Sequence, residues 1–140
     1  MKQRVYMLDT DTSSYVINGR VSSVRARLAE VPPADVCLSV VIRAELLYGL
    51  KALPPDHHNH SRVERFLSGM TVLPWSIEAA DIYAEIRHQL TSTGRPIGDR
   101  DMMIAAHAMS FGAVLVTNNT RHHGRLAPSL VLENWVSQVR

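Results

Sequence analysis

The sequence predicts an α/β fold with a central, mainly parallel sheet of about five strands and helices on both faces. Three observations carry that expectation. Short apolar runs of β-type residues alternate with longer stretches of helical periodicity. The chain has 140 residues, 46% of them hydrophobic and 20% charged, the balance of one compact globular domain over residues 1–140. A chain of that length buries roughly 70% of the surface it exposes unfolded, so it needs no staples.

Val5-Tyr6-Met7-Leu8 reads as a buried first strand that ends at Asp9. Ser13 or Ser14 then caps a helix beginning near Tyr15, and a second helix covers Val21 to Val31 until Pro32-Pro33 stops it. Val36-Cys37-Leu38 is the second strand. Ser39 is the N-cap of a helix through Leu50, with Val40, Ala44, Leu47 and Leu50 along one side. Pro54-Pro55 and the histidine-rich segment behind it form a polar break before a helix from about Ser61 to Leu67. Thr71-Val72-Leu73 is the third strand. Ser76 caps a helix patterned by Ile77, Ala80, Tyr83, Ala84, Ile86 and Leu90, which Gly94 ends. A last long helix covers about Asp99 to Ser110. Ala113 to Thr117 and Leu130 to Leu132 supply the fourth and fifth strands.

Composition removes several classes. One cysteine, Cys37, cannot close an internal disulfide, which excludes a disulfide scaffold and points to a reducing cytoplasmic setting. No apolar run approaches the ~20 residues of a membrane helix, and too few apolar residues precede Asp9 for a signal peptide. Net charge is only +2, yet thirteen of the fifteen basic residues are arginine. Arginine forks onto phosphate and stacks on bases, so the bias suits a nucleic-acid substrate; codon usage in a GC-rich genome explains it equally well.

In parallel sheets, ligands sit beyond the carboxyl ends of the strands, which directs attention to Asp9 and to Thr117-Asn118-Asn119. Two further acids stand in apolar surroundings: Glu45 between Ala44 and Leu46, and Asp101 before Met102-Met103-Ile104-Ala105-Ala106. A carboxylate there loses hydration and needs a cation, a donor or a proton. Taken singly, each acid is better read as a helix cap or an arginine partner. Taken together they suggest an all-oxygen site for Mg²⁺ or Mn²⁺.

Four motifs give that set its context: Met7-Leu8-Asp9-Thr10-Asp11; Ala44-Glu45-Leu46 with Gly49; Ile97-Gly98-Asp99-Arg100-Asp101 running into Ala105-Ala106-His107; and Leu115-Val116-Thr117-Asn118-Asn119 followed by Glu133-Asn134-Trp135. In this order they resemble the PIN-domain ribonucleases, and more narrowly the VapC toxins of bacterial type II toxin–antitoxin (VapBC) systems, from about Val5 to Trp135. The resemblance implies a PIN-like three-layer sandwich and a Mg²⁺-dependent endoribonuclease that uses metal-activated water and leaves a 5′-phosphate. It places metal binding and catalysis on Asp9, Glu45 and Asp101, with Thr10, Asp99, Thr117 and Asn119 in support. Arg100 and Arg121 are the expected RNA contacts. It further implies a homodimer, a VapB-type antitoxin, promoter DNA bound only through the antitoxin complex, and an RNA target in the initiator-tRNA group.

The sequence departs from the family pattern at three places. Many PIN domains carry a fourth acid where Asn119 stands, and the family often has Asn where Asp11 stands, so Asp11 restores part of the charge. The aromatic residue usual after the Asn pair is replaced at His122-His123. Two other readings compete. Asp9-Thr10-Asp11-Thr12 also fits the nucleophile motif of haloacid-dehalogenase-type phosphatases, but the later motifs come in the wrong order and the required lysine is missing. A non-catalytic PIN-like module binding RNA or a partner has no use for buried anionic charge. The remaining candidates take bland readings: His57, His58 and His60 as solvated loop residues, His122-His123 as a surface loop at the site's rim, His107 and Cys37 as packed, and Trp75 and Trp135 as packing anchors.

Overall fold

The computed structural model describes residues 4–126 and 129–137; the three N-terminal residues, which enter the signal-peptide reading, lie outside them. The described elements alternate as expected. β1 (Tyr6–Leu8) leads to α1 (Thr10–Asn18) and α2 (Ser22–Glu30), and β2 (Val36–Ser39) to α3 (Val40–Leu50) and α4 (Asn59–Ser68). β3 (Thr71–Leu73) is followed by α5 (Ile77–Ser92) and α6 (Asp99–Phe111), then β4 (Val114–Val116), α7 (Thr120–His123) and β5 (Leu132–Glu133).

The sheet order is β3-β2-β1-β4-β5, and every neighbouring pair is parallel. Right-handed crossovers then send the helices after β1 and β2 to one face and those after β3 to the other. Consistent with this, α1, α2, α3 and α4 touch one another, while α5 and α6 form the most extensive helix pair. A sheet covered on both faces needs apolar residues throughout, and Tyr6-Met7-Leu8, Val36-Cys37-Leu38 and Val114-Leu115-Val116 are all buried. Trp135 is buried against Tyr6, with ring centroids 5.9 Å apart, and the Arg27 guanidinium lies over both rings. Among the described residues, no helix is long and apolar enough to cross a membrane.

Several local expectations need correction. α1 starts five residues earlier than Tyr15, because Asp9 rather than Ser13 or Ser14 is its N-cap, and Ser13 is buried within the helix. The inner face of α3 is built on Ile42 and Leu50, and Ala44 is exposed. In α5 the buried residues are Ala79, Ile86 and Leu90, while Ile77 is 78% exposed; the helix rotates to pack on α6. The fifth strand sits at Leu132–Glu133, downstream of the Leu130–Leu132 run, with Leu115 paired to Leu132. Four residues after Asn119 form the short helix α7, which no apolar periodicity marks.

Ser39 and His107 tie the two layers of helices through the sheet. The Ser39 hydroxyl accepts from the Val41 amide at 3.1 Å, capping α3, and lies 2.7 Å from His107 Nδ1. Pro74 has only a carbonyl to offer, so a neutral His107 ring that donates to it has Nδ1 as the acceptor for the Ser39 hydroxyl. Burial lowers its pKa, partly offset by a hydrogen bond with the Pro74 backbone, and the Trp75 ring meets it edge-on at 5.4 Å. His107 is therefore a packed core residue. Replacing Ser39 by Ala removes the cap and orphans a buried ring nitrogen. The variant is expected to lose about 2–3 kcal/mol of unfolding free energy in urea, with an unchanged m-value.

Candidate functional site

The sheet order reverses between β1 and β4, so the connections leaving these strands diverge and open a crevice at their carboxyl ends. Leu8 pairs with Val116, which makes Asp9 and Thr117 neighbours across that gap. The Asp9 amide continues the ladder by donating to the Val116 carbonyl at 3.0 Å. Its side chain turns to cap α1, Oδ1 accepting from the Thr12 amide at 2.8 Å. The Thr12 hydroxyl in turn donates to the Val116 carbonyl at 3.1 Å, locking the first turn of α1 onto β4.

Asp9 is only 5% exposed. Burial pushes its carboxyl above the ordinary range; hydrogen bonds from Thr117 and Thr12 oppose the rise, and the charge of Asp11 adds to it. Thr117, wholly buried, accepts from the Asn119 amide at 2.9 Å and so has its proton free for the Asp9 carboxylate. Glu45 projects from the second turn of α3. Its Oε1 accepts from the Thr10 hydroxyl at 3.4 Å, and its Oε2 lies 3.9 Å from Arg100 Nε. Burial also raises the Glu45 carboxyl, Arg100 and Thr10 pull it down, and the like charges of Asp101 and Asp11 push it up.

These residues wall one open cleft of about 730 Å³, lined by Asp9, Thr10, Asp11, Glu45, Asp99 and Asp101, together with Gly98, Arg100 and Asn119. Asp99 and Asp101 stand in the first turn of α6 and Asp11 in that of α1, where helix dipoles offset negative charge. Position 98 faces the ligand-bearing wall, a Cβ there meeting Asp101 Oδ2 at 3.7 Å. The Asn119 side-chain amide lies 3.0 Å from His122 Nδ1.

Most of the residues singled out in the sequence thus share one cleft, with Thr117 directly beneath it. Three expectations change. The three acids line the same walls, but among the described residues no three His, Cys, Asp or Glu side chains stand close enough to hold an ion as they are. Like charges repel, and Glu45 satisfies itself with Thr10 and Arg100 instead. Arg121 is exposed on α7 and does not line the cleft. His123, expected at a surface loop, is buried; it bonds the Asn119 carbonyl through Nδ1 and leaves Nε2 without a partner among the described residues. Sequence reasoning missed Thr12, which an Asp-x-x-Thr capping pattern could have marked. It also missed Tyr83, whose hydroxyl lies 3.5 Å from Asp99 Oδ1 and accepts from Arg87; nothing in the sequence signals that contact.

The donor set is all oxygen and suits a hard divalent cation. An acid whose folded-state pKa is raised costs nothing below its unfolded value, where both states are protonated. Stability is lost as pH rises through the folded value, because the native state must then ionise a buried group. Without added metal, melting temperature is therefore expected to fall as pH rises from about 4 towards neutrality. Asp9→Asn, which keeps the α1 cap, should fall less over the same range in differential scanning fluorimetry.

The chain matches the family model described as "PIN domain" over residues 6–127. It is 36% identical over 132 residues to the ribonuclease VapC2 of Rickettsia felis, covering 94% of this chain and 98% of that protein. It is 38% identical over 130 residues to the tRNA(fMet)-specific endonuclease VapC of Shigella flexneri, covering 93% and 97%. Among solved structures it resembles DNA-bound VapBC from Salmonella typhimurium, with a TM-score of 0.86, 35% identity and coverage of 95% and 99%. VapBC2 of Rickettsia felis bound to a promoter fragment matches with a TM-score of 0.84, 34% identity and coverage of 94% and 98%. The crevice at the β1–β4 boundary and near end-to-end similarity agree: this chain belongs to the PIN-domain family and, within it, to the VapC ribonucleases.

Proposed function

We propose that the protein is the endoribonuclease toxin of a type II toxin–antitoxin module, that its cleft works with Mg²⁺, and that Mn²⁺ substitutes. The observation that carries this reading is the gathering of five carboxylates and one arginine around a single crevice, two of them, Asp9 and Glu45, raised by burial. Such a cluster is unfavourable by itself and becomes favourable when a divalent cation compensates it.

Asp9, Glu45 and Asp101 would hold the ion, which when bound acidifies water and offsets charge on a phosphoryl oxygen. The chain's own residues do the positioning. Thr117 and the Thr12 amide favour the charged form of Asp9 against its burial and aim it, and Thr10 steadies Glu45. Asp99 and Asn119 present further oxygens at the rim. Arg100, 68% exposed, leaves Glu45 to meet a phosphate when the carboxylate takes up its other role. The Shigella flexneri relative is named for initiator tRNA, which supports that RNA as the substrate. The Salmonella typhimurium and Rickettsia felis complexes, each bound to DNA, support a VapB-type antitoxin, with promoter DNA reached through the complex. A homodimeric toxin acting as one domain over residues 1–140, in the cytoplasm, completes the proposal.

Two tests follow. Purified protein with Mg²⁺ is expected to cut initiator tRNA and leave 5′-phosphate ends, read by sequencing fragment termini. Asp9→Asn should lower the rate by at least about a hundredfold while circular dichroism stays unchanged; undiminished cleavage by a folded variant defeats the mechanism. In thermal shift, Mg²⁺ or Ca²⁺ should raise the melting temperature of the wild type but not of Asp9→Asn or Asp101→Asn. Ca²⁺ should support little turnover.

A further inference from the structure

The cleft that cuts is ill suited to hold what it cuts. Its walls carry five carboxylates against the single guanidinium of Arg100, and RNA is a polyanion whose affinity comes chiefly from basic contacts to phosphate. Attraction must therefore be supplied elsewhere on the surface, within reach of the scissile bond.

The surface along α1 provides it. A second depression of about 340 Å³ shares Thr10 and Glu45 with the acidic cleft and continues past Ser14 to Ile17 and Asn18. A third, of about 480 Å³, shares Ile17 and Asn18 with the second and is lined by Arg25, Arg62 and Arg65, with Phe66 beside them and no acidic residue. The three depressions form one trough with α1 as its common wall. Arg62 and Arg65 are one turn apart on α4, on the flank of its buried Val63 and Leu67, so both guanidinium groups face the trough while Glu64 does not line it. Both are exposed. Arg25 is held in place by donating to the Val16 carbonyl through Nε and Nη2, at 3.3 and 3.0 Å.

Resting on the ribonuclease reading of the acidic cleft, we propose that Arg25, Arg62 and Arg65 form an anchoring site for the RNA phosphate backbone, separate from the cutting centre. α1 has nine residues, a span of about 13 Å. That distance corresponds to a few nucleotides of RNA, so the anchor engages the backbone a few nucleotides from the scissile bond. Between the two ends the only charged wall residue is Glu45, at the cleft end, followed by Leu46, Leu50, Leu53 and Val63, and Phe66 lines the arginine end. The chain thereby divides its labour: carboxylates cut, and arginines one helix length away hold.

The test uses the double variant Arg62→Ala, Arg65→Ala, whose exposed positions leave the core untouched. KM for initiator tRNA should rise about tenfold with kcat unchanged. Binding by the same variant in an Asp9→Asn background, with Ca²⁺ present, should show a salt dependence shallower by about 1.4 in log Kd against log salt, the value for two phosphate contacts on a single strand. Single-stranded oligoribonucleotides of increasing length should separate wild type from variant only when they extend far enough from the cut to span α1. Wild-type KM and salt slope in the variant overturn the anchor while leaving the nuclease reading in place. Wild-type protein that neither binds nor cuts these RNAs overturns both. A variant that releases a co-purified VapB-type antitoxin yet keeps wild-type RNA values assigns the arginines to a protein partner, and also overturns the proposal.

Discussion

The arrangement depends on one buried carboxylate. Asp9 ends a central strand, caps the helix that follows and faces the crevice, and each role uses a different part of the residue. Its amide completes the ladder to Val116, Oδ1 takes the Thr12 amide, and Thr117 donates from below. These bonds fix the carboxylate in place without neutralising it. Burial keeps ionisation costly, so the site is held in a state that a cation improves. A surface acid would have made the same hydrogen bonds at less cost to the fold and would have had less to gain from a metal.

The second constraint is the distribution of the other acids. Asp9 caps α1, Asp11 lies in its first turn, and Asp99 and Asp101 open α6. Four of the five cleft carboxylates therefore stand at helix N-termini, where unsatisfied amides offset negative charge. Glu45 is the exception, in the second turn of α3, and it is the one that takes an arginine partner. The cleft disperses its charge onto backbone dipoles and Arg100. That is why the acids share walls without forming a closed ligand cage.

Much of this was legible in the sequence because it is local. Ser39 and Ser76 as caps, Pro32-Pro33 as a stop, Gly94 at positive φ after α5 and the apolar strand runs are each decided within a few residues. The candidate acids were legible because charge next to Met-Met-Ile-Ala-Ala or between Ala and Leu is conspicuous. What the sequence concealed is tertiary. The rotation of α5 that exposes Ile77 depends on its packing with α6, the early start of α1 on Asp9 choosing to cap, and the Tyr83–Asp99 contact on two helices sixteen residues apart. The burial of His123 belongs to the same class, since a pair of histidines gives no periodicity from which an inward direction could be read.

Asn119 follows from the same electrostatic logic. It stands at the N-cap position of α7 without a side-chain capping bond, and that helix has only four residues, three of them Arg121, His122 and His123. So short a helix carries little dipole, and a carboxylate there would add charge beside Asp9 with less compensation than the α1 and α6 termini provide. An amide avoids that cost. Its nitrogen meets His122, its backbone carbonyl is bonded by buried His123, and its backbone amide donates to the threonine that holds Asp9. Asp11 and Asp99 instead bring negative charge to longer helices that can bear it. The cleft thus keeps a strongly anionic wall with its charge at the starts of α1 and α6, while the end of β4 presents the neutral Asn119.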